Sequence, residues 1–151
     1  MAREDPVDVL TRFCATWRTG DTEALIEFFT DDATYQNMMD EPWHGKERIH
    51  QVFKSFYTFT RSIDFTIRSI AGSDNTVLIE RIDICTTTED VTAHLPIAGV
   101  FELRDGHIAA WRDYYDNAQF RRMLKHPPRD PDNPGDSDLG VVRVDSIVQE
   151  G

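Results

Sequence analysis

The sequence predicts an α+β fold in which three helices cover one face of a curved, mainly antiparallel sheet. Up to Thr60, apolar residues recur at the three- and four-residue spacing of amphipathic helices. After Thr60, runs rich in β-branched and aromatic residues alternate with short turn signals. Short connections join antiparallel neighbours, so these later runs predict a meander that the helices cover.

The first helix is predicted from its two ends and its apolar stripe. Asp5 is a typical N-cap, and Pro6 follows it at the first helical position. Gly20 ends the helix, since glycine adopts the left-handed conformation of a C-cap. The stripe is Leu10, Phe13, Cys14 and Trp17.

The second helix is predicted to be shorter and to lead into a short strand. Asp21 caps it, its apolar face holds Leu25, Phe28 and Phe29, and Asp31-Asp32 break it. Residues 33–38 then alternate as a strand on which Tyr35 and Asn37 share a face.

A third helix and four strands complete the predicted fold. A loop through Pro42 and Gly45 leads to the helix, whose stripe is Ile49, Val52, Phe53 and Phe56. The four strands are Ser62–Ile70, Thr76–Thr86, Val91–Leu103 and His107–Asp116. Residues 118–125 follow them as a last short helical turn.

Residues 1–126 are predicted to form a single domain, and residues 127–151 a tail. A chain of 151 residues with 40% hydrophobic residues suffices for one core. The tail is mainly proline and aspartate up to Asp138, which is typical of extended, poorly packed chain. Residues 139–148 regain some alternation, and an edge strand, a partner contact and disorder all remain open for them.

The composition excludes several partners and cofactors. A net charge of −11 argues against nucleic acid and against an anionic membrane. Met1–Asp5 has no apolar signal core and no apolar run approaches about 18 residues, so we expect a cytoplasmic protein. Cys14 and Cys85 lie in apolar segments, which favours two reduced thiols. The five histidines lack metal-ligand spacing and no glycine-rich phosphate loop follows a strand, so neither a metal nor a nucleotide cofactor is predicted.

A charged pair stands in the middle of the second of the four strands. Alternation puts Arg81 and Asp83 on one face with Ile79 and Cys85, while Ile82 and Ile84 take the other face. Because both faces are largely apolar, this strand is predicted to be buried on both sides. Buried charges cost several kcal/mol unless they find partners, and we expect Asp113 to be that partner.

The turn signals bring the three charged residues together. A three-residue turn at Arg104-Asp105-Gly106 predicts that Asp113 lies opposite Ile97. An even register in the preceding hairpin then puts Arg81 and Asp83 on the same face as Asp113, about 10 Å away across one strand. An arginine can hold a carboxylate at each end of that gap, beside a small molecule and a water.

This spacing favours attack by an activated water, with one acid ionised as the base and the other protonated as the acid. The sequence does not decide which aspartate holds the proton. Two other interpretations stay open, because a buried Arg–Asp pair is more often structural than catalytic, and the charged residues could be solvated edge residues.

Four segments together resemble the limonene-1,2-epoxide hydrolase family over residues 5–126. They are Tyr35-Gln36-Asn37-Met38, Glu80-Arg81-Ile82-Asp83, Gly99-Val100-Phe101, and Gly106-His107-Ile108 with Trp111–Asp116. The resemblance implies the cone-shaped fold with a mixed sheet that nuclear transport factor 2 and ketosteroid isomerase share. It also implies a homodimer, and one-step hydrolysis of epoxides to vicinal diols without cofactor or metal.

Roles follow from the resemblance position by position. Asp113 is the base that activates water, Tyr35 and Asn37 hold that water, Asp83 protonates the epoxide oxygen, and Arg81 bridges the two acids. The substrate-binding residues expected from facing and from family position are Trp17, Met38, Phe56, Ile79, Cys85, Leu95, Ile97, Tyr115 and Phe120. Each of these could equally be plain core.

The expected substrate is a small apolar epoxide, cyclic or terpenoid-like. An isomerase or cyclase that uses an aspartate base next to a carbonyl is one alternative. A non-catalytic ligand-binding or dimerisation module with a structural ion pair is the other.

Overall fold

One curved six-stranded sheet carries the molecule, and this computed structural model describes residues 3–38 and 40–125. The helices are α1 (Pro6–Thr16), α2 (Thr22–Ile26), α3 (Lys46–Phe59) and α4 (Asn117–Lys125). The strands are β1 (Phe29–Asn37), β2 (Trp43–His44), β3 (Thr60–Ser73), β4 (Thr76–Thr87), β5 (Thr92–Arg104) and β6 (His107–Tyr114). Their order is β2-β1-β6-β5-β4-β3, with β1 parallel to β6 and the other pairs antiparallel. The predicted α+β class with a mixed, mainly antiparallel sheet is confirmed.

The ends of α1 are those that the sequence predicts. The Asp5 carboxylate accepts a hydrogen bond from the Val7 backbone N–H at 2.8 Å, and Pro6 opens the helix. A 3-10 turn, Trp17–Thr19, extends the helix to Gly20, which ends it with a left-handed φ of 70°. The buried side of this segment packs under the sheet and includes Trp17.

The transition from α2 to β1 was predicted wrongly. Helix α2 ends at Ile26, and β1 begins at Phe29 instead of residue 33. Phe29 pairs with Ile108 of β6, and its ring packs 5.6 Å from that of Phe13. The register with β6 shifts between Phe29 and Thr34, and the exposed Asp31-Asp32 pair lies in that irregular stretch. These aspartates therefore face solvent within a strand and do not end a helix.

Strand β2 lies in the stretch that was predicted as a loop. Its two residues pair with β1, Trp43 opposite Tyr35. The two rings lie 5.1 Å apart between centroids. Two residues are too few to show alternation, so no sequence pattern could reveal this strand.

The meander of β3 to β6 is confirmed, but the last hairpin has a different register. Its turn has two residues, Asp105 and Gly106, both with left-handed φ (51° and 76°), and Arg104 lies opposite His107. A bulge at Ala109 then shifts the register, so that Asp113 lies opposite Gly99 and not Ile97. The net slip is two residues. A slip of two keeps every side chain on its predicted face.

Strand β4 is buried on one face for most of its length, which corrects the prediction of burial on both faces. Val77, Ile79, Arg81 and Asp83 point inward, whereas Leu78 is 54% exposed and Glu80 is also exposed. The buried residues of β4 therefore lie mainly on the face that carries the core. Burial behind β4 is limited to Ile82.

Aromatic rings form the centre of the core on the inner face. The Trp111 indole of β6 stacks on Tyr35 at 4.0 Å and on Phe101 at 5.3 Å, and Phe13 meets it edge-on at 5.4 Å. These contacts fix the orientation of the Trp111 ring. No helix in the described part of the chain is long and apolar enough to cross a membrane. The predicted tail, residues 127–151, lies outside the described residues.

Candidate active site

The Arg81 guanidinium lies between the two aspartates and holds both. Its Nε and Nη2 donate to the Asp83 carboxylate at 2.6 and 3.0 Å. Its Nη1 and Nη2 donate to the Asp113 carboxylate at 2.9 and 2.6 Å. The three residues are 0%, 6% and 2% exposed in that order. This is a fully buried, bidentate ion triad that takes up most of the donors of the arginine.

A glycine in the intervening strand makes room for this bridge. Arg81 and Asp83 lie on β4 opposite Ile97 and Leu95, and Asp113 lies on β6 opposite Gly99. A Cβ atom at Gly99 would stand 2.8 Å from both Arg81 Nη1 and Asp113 Oδ1. Real Cβ atoms essentially never approach that closely, so any other residue here would push back the two side chains that form the bridge across β5.

Aromatic residues support the triad from below. The guanidinium carbon of Arg81 lies 4.3 Å from the centroid of the Phe65 ring and 5.6 Å from that of Trp111. Trp111 Nε1 also donates to Asp113 Oδ1 at 2.6 Å. The rings favour the charged form of Arg81, and the indole N–H fixes the position of the Asp113 carboxylate. Trp111 was not predicted as a site residue, although its position two residues before Asp113 places it on the same face of β6.

Burial sets the protonation of this cluster. Burial raises the pKa of Asp83 from 3.8 to about 7; the charge and hydrogen bonds of Arg81 oppose the increase, and the charge of Asp113 adds to it. Burial acts to lower the pKa of Arg81, but the charges and hydrogen bonds of the two aspartates outweigh it and raise that pKa well above its usual value. Arg81 therefore stays charged, and Asp83 can exchange a proton near neutral pH.

Tyr35 and Asn37 reach the site through the parallel pairing of β1 with β6. Tyr35 pairs with Trp111 and Asn37 with Asp113, so both are direct neighbours of the acid strand. Burial raises the pKa of Tyr35 well above 10, and the charge of Asp113 raises it further. The phenol therefore remains protonated and available as a hydrogen-bond donor.

A cavity of about 140 Å³ opens above the two acids, and Tyr35 and Asn37 line it beside them. Of the nine residues expected to bind substrate, seven line its wall: Trp17, Phe56, Cys85, Leu95, Ile97, Tyr115 and Phe120. Four lining residues were missed: Phe59, Thr60, Ile63 and Phe65. Alternation along β3 places Ile63 and Phe65 on one face, and Phe65 pairs directly with Asp83, but the sequence alone does not give that register.

The other two expected wall residues are elsewhere. Ile79 pairs with Gly99 and is buried in the core, one step along β4 from Arg81. Met38 follows β1, and its backbone N–H donates to the carbonyl oxygen of Asp113 on β6 at 2.9 Å. Arg81 does not line the cavity either, because it lies behind the two carboxylates. Ile79 and Met38, which were expected to bind substrate, therefore do not line this cavity.

The cavity thus brings a proton donor and a proton acceptor to one apolar space. Its polar groups belong to Tyr35, Asn37, Asp83, Asp113, Thr60 and Tyr115, and the other residues that line it are hydrophobic. Among residues 3–38 and 40–125, no group of three His, Cys, Asp or Glu side chains is arranged to hold a metal ion. Acid–base chemistry on a small apolar molecule is what this set of groups can perform.

Comparison with known proteins identifies the family. The model of the SnoaL-like domain matches residues 10–111, more than half of the chain. The chain belongs to the SnoaL-like family. This SnoaL-like domain is of the nuclear transport factor 2-like type that the sequence resemblance implied.

Solved structures similar to this SnoaL-like protein differ in their described roles. An LEH-like epoxide hydrolase from M. tuberculosis has a TM-score of 0.71 at 23% identity, over 80% of this chain and 89% of that one. A hypothetical protein with a ketosteroid isomerase-like fold from Catenulispora acidiphila has a TM-score of 0.69 at 21% identity, over 80% and 98%. A putative polyketide cyclase from Xanthomonas campestris has a TM-score of 0.73 at 16% identity, over 79% and 96%. At these identities the likeness establishes the fold, and the fold hosts several chemistries.

Proposed function

We propose that this SnoaL-like protein is a cofactor-independent epoxide hydrolase that converts a small apolar epoxide to a vicinal diol. The observation that carries the proposal is the buried triad. Two carboxylates bridged by Arg81 face one apolar cavity, and burial raises the pKa of one of them, Asp83, to about 7. An acid and a base held apart beside a small cavity are what epoxide opening by water requires.

In the proposed reaction Asp113 is the base and Asp83 the acid. Tyr35 and Asn37 hold a water beside Asp113, which takes one of its protons as the oxygen attacks an epoxide carbon. The carbon–oxygen bond of the ring breaks, and Asp83 gives its proton to the leaving oxygen. A diol forms, and the proton gained by Asp113 must return to Asp83 before the next turnover.

The hydrogen bonds of the triad favour water over a carboxylate as the nucleophile. Asp113 Oδ1 accepts from Arg81 Nη1 and from Trp111 Nε1, and Oδ2 accepts from Arg81 Nη2. Each oxygen of Asp83 likewise accepts from Arg81. Every oxygen of the two carboxylates thus accepts a hydrogen bond. These bonds stabilise the negative charge on the oxygens and make a carboxylate a weaker nucleophile toward the epoxide carbon.

The test is a single turnover in ¹⁸O-water. We expect label in the diol from the first turnover and none in the enzyme carboxylates. Label that entered the diol only after an enzyme carboxylate had been labelled would contradict direct attack by water. A panel of racemic and meso epoxides identifies the substrate for this experiment.

Two variants test the roles of the acids. Asp83→Asn and Asp113→Asn should each abolish diol formation while the far-UV circular dichroism spectrum stays that of the parent. Glu80→Gln is the matched control, because Glu80 lies on the same strand but on the exposed face. If the aspartate variants changed only the melting temperature, a structural ion pair in a binding module would be the better description.

An isomerase or cyclase is the second candidate. A protonated Asp83 and the Tyr35 phenol could together donate to the oxyanion of an enolate, with Asp113 as the base, as in the Tyr and protonated Asp of ketosteroid isomerase. The arginine bridge disfavours this second candidate. Arg81 links two carboxylates, whereas an oxyanion site needs only hydrogen-bond donors. Solvent deuterium exchange into a ketone without epoxide turnover would reverse this preference.

We also propose a homodimer formed through the outer face of the sheet. Leu78 and Tyr114 are exposed there by 54% and 46% of their surface. Light scattering coupled to size-exclusion chromatography should give twice the chain mass. Leu78→Lys should lower that mass toward the monomer, and a monomeric parent would refute the dimer.

A further inference from the structure

Aromatic rings dominate the wall of the cavity. Of the fifteen residues that line it, seven are aromatic: four phenylalanines, two tyrosines and a tryptophan. An apolar pocket needs hydrophobic side chains, but leucine, isoleucine or valine would serve equally well for burial alone. The aromatic composition of the wall therefore indicates that the bound molecule is flat and can interact with the π-systems of the rings.

The rings reach from the acids to the mouth of the cavity. Phe65 lies under the Arg81 guanidinium and stacks on Trp17, with centroids 4.5 Å apart and planes 23° from parallel. Phe56 of α3 follows, 6.4 Å from Trp17. Phe59, at the end of α3, is 47% exposed, which places it at the opening. Phe120 adds a ring from α4.

These rings come from separate elements of the fold, so they surround the space and do not form one stacked column. Trp17 comes from the turn after α1, Phe65 from β3, Phe56 from α3 and Phe120 from α4. A flat ring that enters such a space can place its electropositive edge against the face of one wall ring and its own face against the edge of another. Both contacts are edge-to-face, which is, with offset stacking, one of the two arrangements that aromatic pairs prefer.

The space beside the acids has room for one ring. Its volume of about 140 Å³ is close to that of the engineered cavities of about 150 Å³ that hold one benzene molecule. A larger skeleton would have to extend through the opening at Phe59, away from the other wall rings. A six-membered ring with a short substituent, such as an oxirane, fits within the space.

We propose that the cavity selects epoxides that carry a single aromatic ring over the equivalent epoxides with a saturated ring. This substrate class rests on the proposed hydrolase function, which it makes more specific. The aromatic ring occupies the space among Trp17, Phe56 and Phe120. The oxirane lies toward Asp83, which protonates its oxygen.

The matched test ligands are 1-phenylethane-1,2-diol and 1-cyclohexylethane-1,2-diol, the products of styrene oxide and of cyclohexyloxirane. Both have eight carbons, and neither needs turnover to bind. Isothermal titration calorimetry with the whole protein gives their Kd values. The saturated ring has the larger apolar surface, so area alone favours it. We expect the phenyl diol to bind about tenfold more tightly, which is the scale of one or two favourable ring–ring contacts.

Variants assign the preference to the wall. Phe56→Leu and Phe120→Leu keep an apolar side chain but remove a ring, and each should reduce the phenyl-to-cyclohexyl ratio to about threefold or less. Phe28→Leu removes a ring that packs on Phe13 and does not line the cavity, and it is the matched control, with an unchanged ratio.

The outcomes separate the two proposals. Equal or tighter binding of the cyclohexyl diol, a ratio that survives in both Phe56→Leu and Phe120→Leu, or no binding of either diol at millimolar concentration would overturn the aromatic selection. If the cyclohexyl diol binds equally and styrene oxide is still hydrolysed in ¹⁸O-water, the hydrolase function stands alone. If the phenyl diol is preferred tenfold but no epoxide of either kind is hydrolysed, the selection stands and the hydrolase function falls.

Discussion

Replacing Gly99 by alanine is the sharpest perturbation of the proposed site, because it adds one methyl group and removes none of the chemical groups. The new Cβ would lie 2.8 Å from Arg81 Nη1 and Asp113 Oδ1 and 3.1 Å from Phe101 Cε2. Ordinary contacts of a Cβ begin at 3.4 Å, so both polar atoms must retreat by about 0.6 Å. These two atoms form the 2.9 Å hydrogen bond between Arg81 and Asp113.

The expected cost follows from that hydrogen bond. A hydrogen bond between charged groups contributes about 1.5–3 kcal/mol, and the retreat disrupts one of the two that join Arg81 to Asp113. We therefore expect the free energy of unfolding to fall by about 2–3 kcal/mol. Asp113 also leaves its position beside the water site, and a displacement approaching 1 Å lowers kcat/KM by about a hundredfold.

Urea denaturation and steady-state hydrolysis of the best epoxide measure the two effects. Gly72→Ala is the matched control, since its Cβ would lie 2.9 Å from a side-chain methyl of Val7, far from the acids. That variant should lose some stability but retain kcat/KM. If Gly99→Ala kept both its stability and its kcat/KM within a factor of three, the glycine would not be what admits the bridge. A loss of stability with full activity would show that the bridge does not position Asp113.

Four further predictions concern the triad and the tryptophan beside it. The kcat/KM profile should fall as pH rises through about 7, because Asp83 then loses the proton that the reaction uses; a profile flat from pH 6 to 9 would exclude Asp83 as the acid. Because of the same raised pKa of Asp83, the folded protein binds more protons than the unfolded chain between about pH 4 and 7. The free energy of unfolding should therefore decrease as the pH rises through that window, and it should decrease less in Asp83→Asn. Urea titrations at several pH values measure both trends. Trp111→Phe keeps the stacked ring but removes the N–H that donates to Asp113. We expect kcat to fall about tenfold, with a shifted pH profile and little change in KM. An unaltered pH profile would show that the tryptophan is merely structural. Arg81→Met leaves two buried carboxylates without their cation and should cost about 3–5 kcal/mol of stability along with all activity, which thermal unfolding and the diol assay would detect.

The face of the sheet on which each site residue lies could be predicted from the sequence, whereas the residue opposite it on the neighbouring strand could not. Alternation puts Arg81 and Asp83 on one face, and an even register between the strands brings Asp113 to that face, which a slip of two residues does not change. The opposite residue depends on the conformation of Asp105 and on the bulge at Ala109, and neither leaves a mark in the hydrophobic pattern. Asp113 was therefore expected opposite Ile97, although it lies opposite Gly99.

Other differences have equally local causes. Phe28 and Phe29 fit a helical stripe as well as a strand, and only the pairing of Phe29 with β6 decides between them. The contributions of Phe59 and Phe65 to the cavity depend on how β3 lies against β4, which is a tertiary fact. Ile79 and Cys85 share a face of β4, yet only Cys85 reaches the cavity, because the two residues lie on opposite sides of the charged pair along the strand.

The parallel pairing of β1 with β6 has a consequence for how the protein acquires its activity. Tyr35 and Asn37 are separated from Trp111 and Asp113 by about half of the chain, and they meet only through this pairing. Contacts between distant segments close late, since the entropy of a long loop must be overcome first. Turnover should therefore appear in step with the last phase of refolding, so that catalysis would report the closure of the whole sheet.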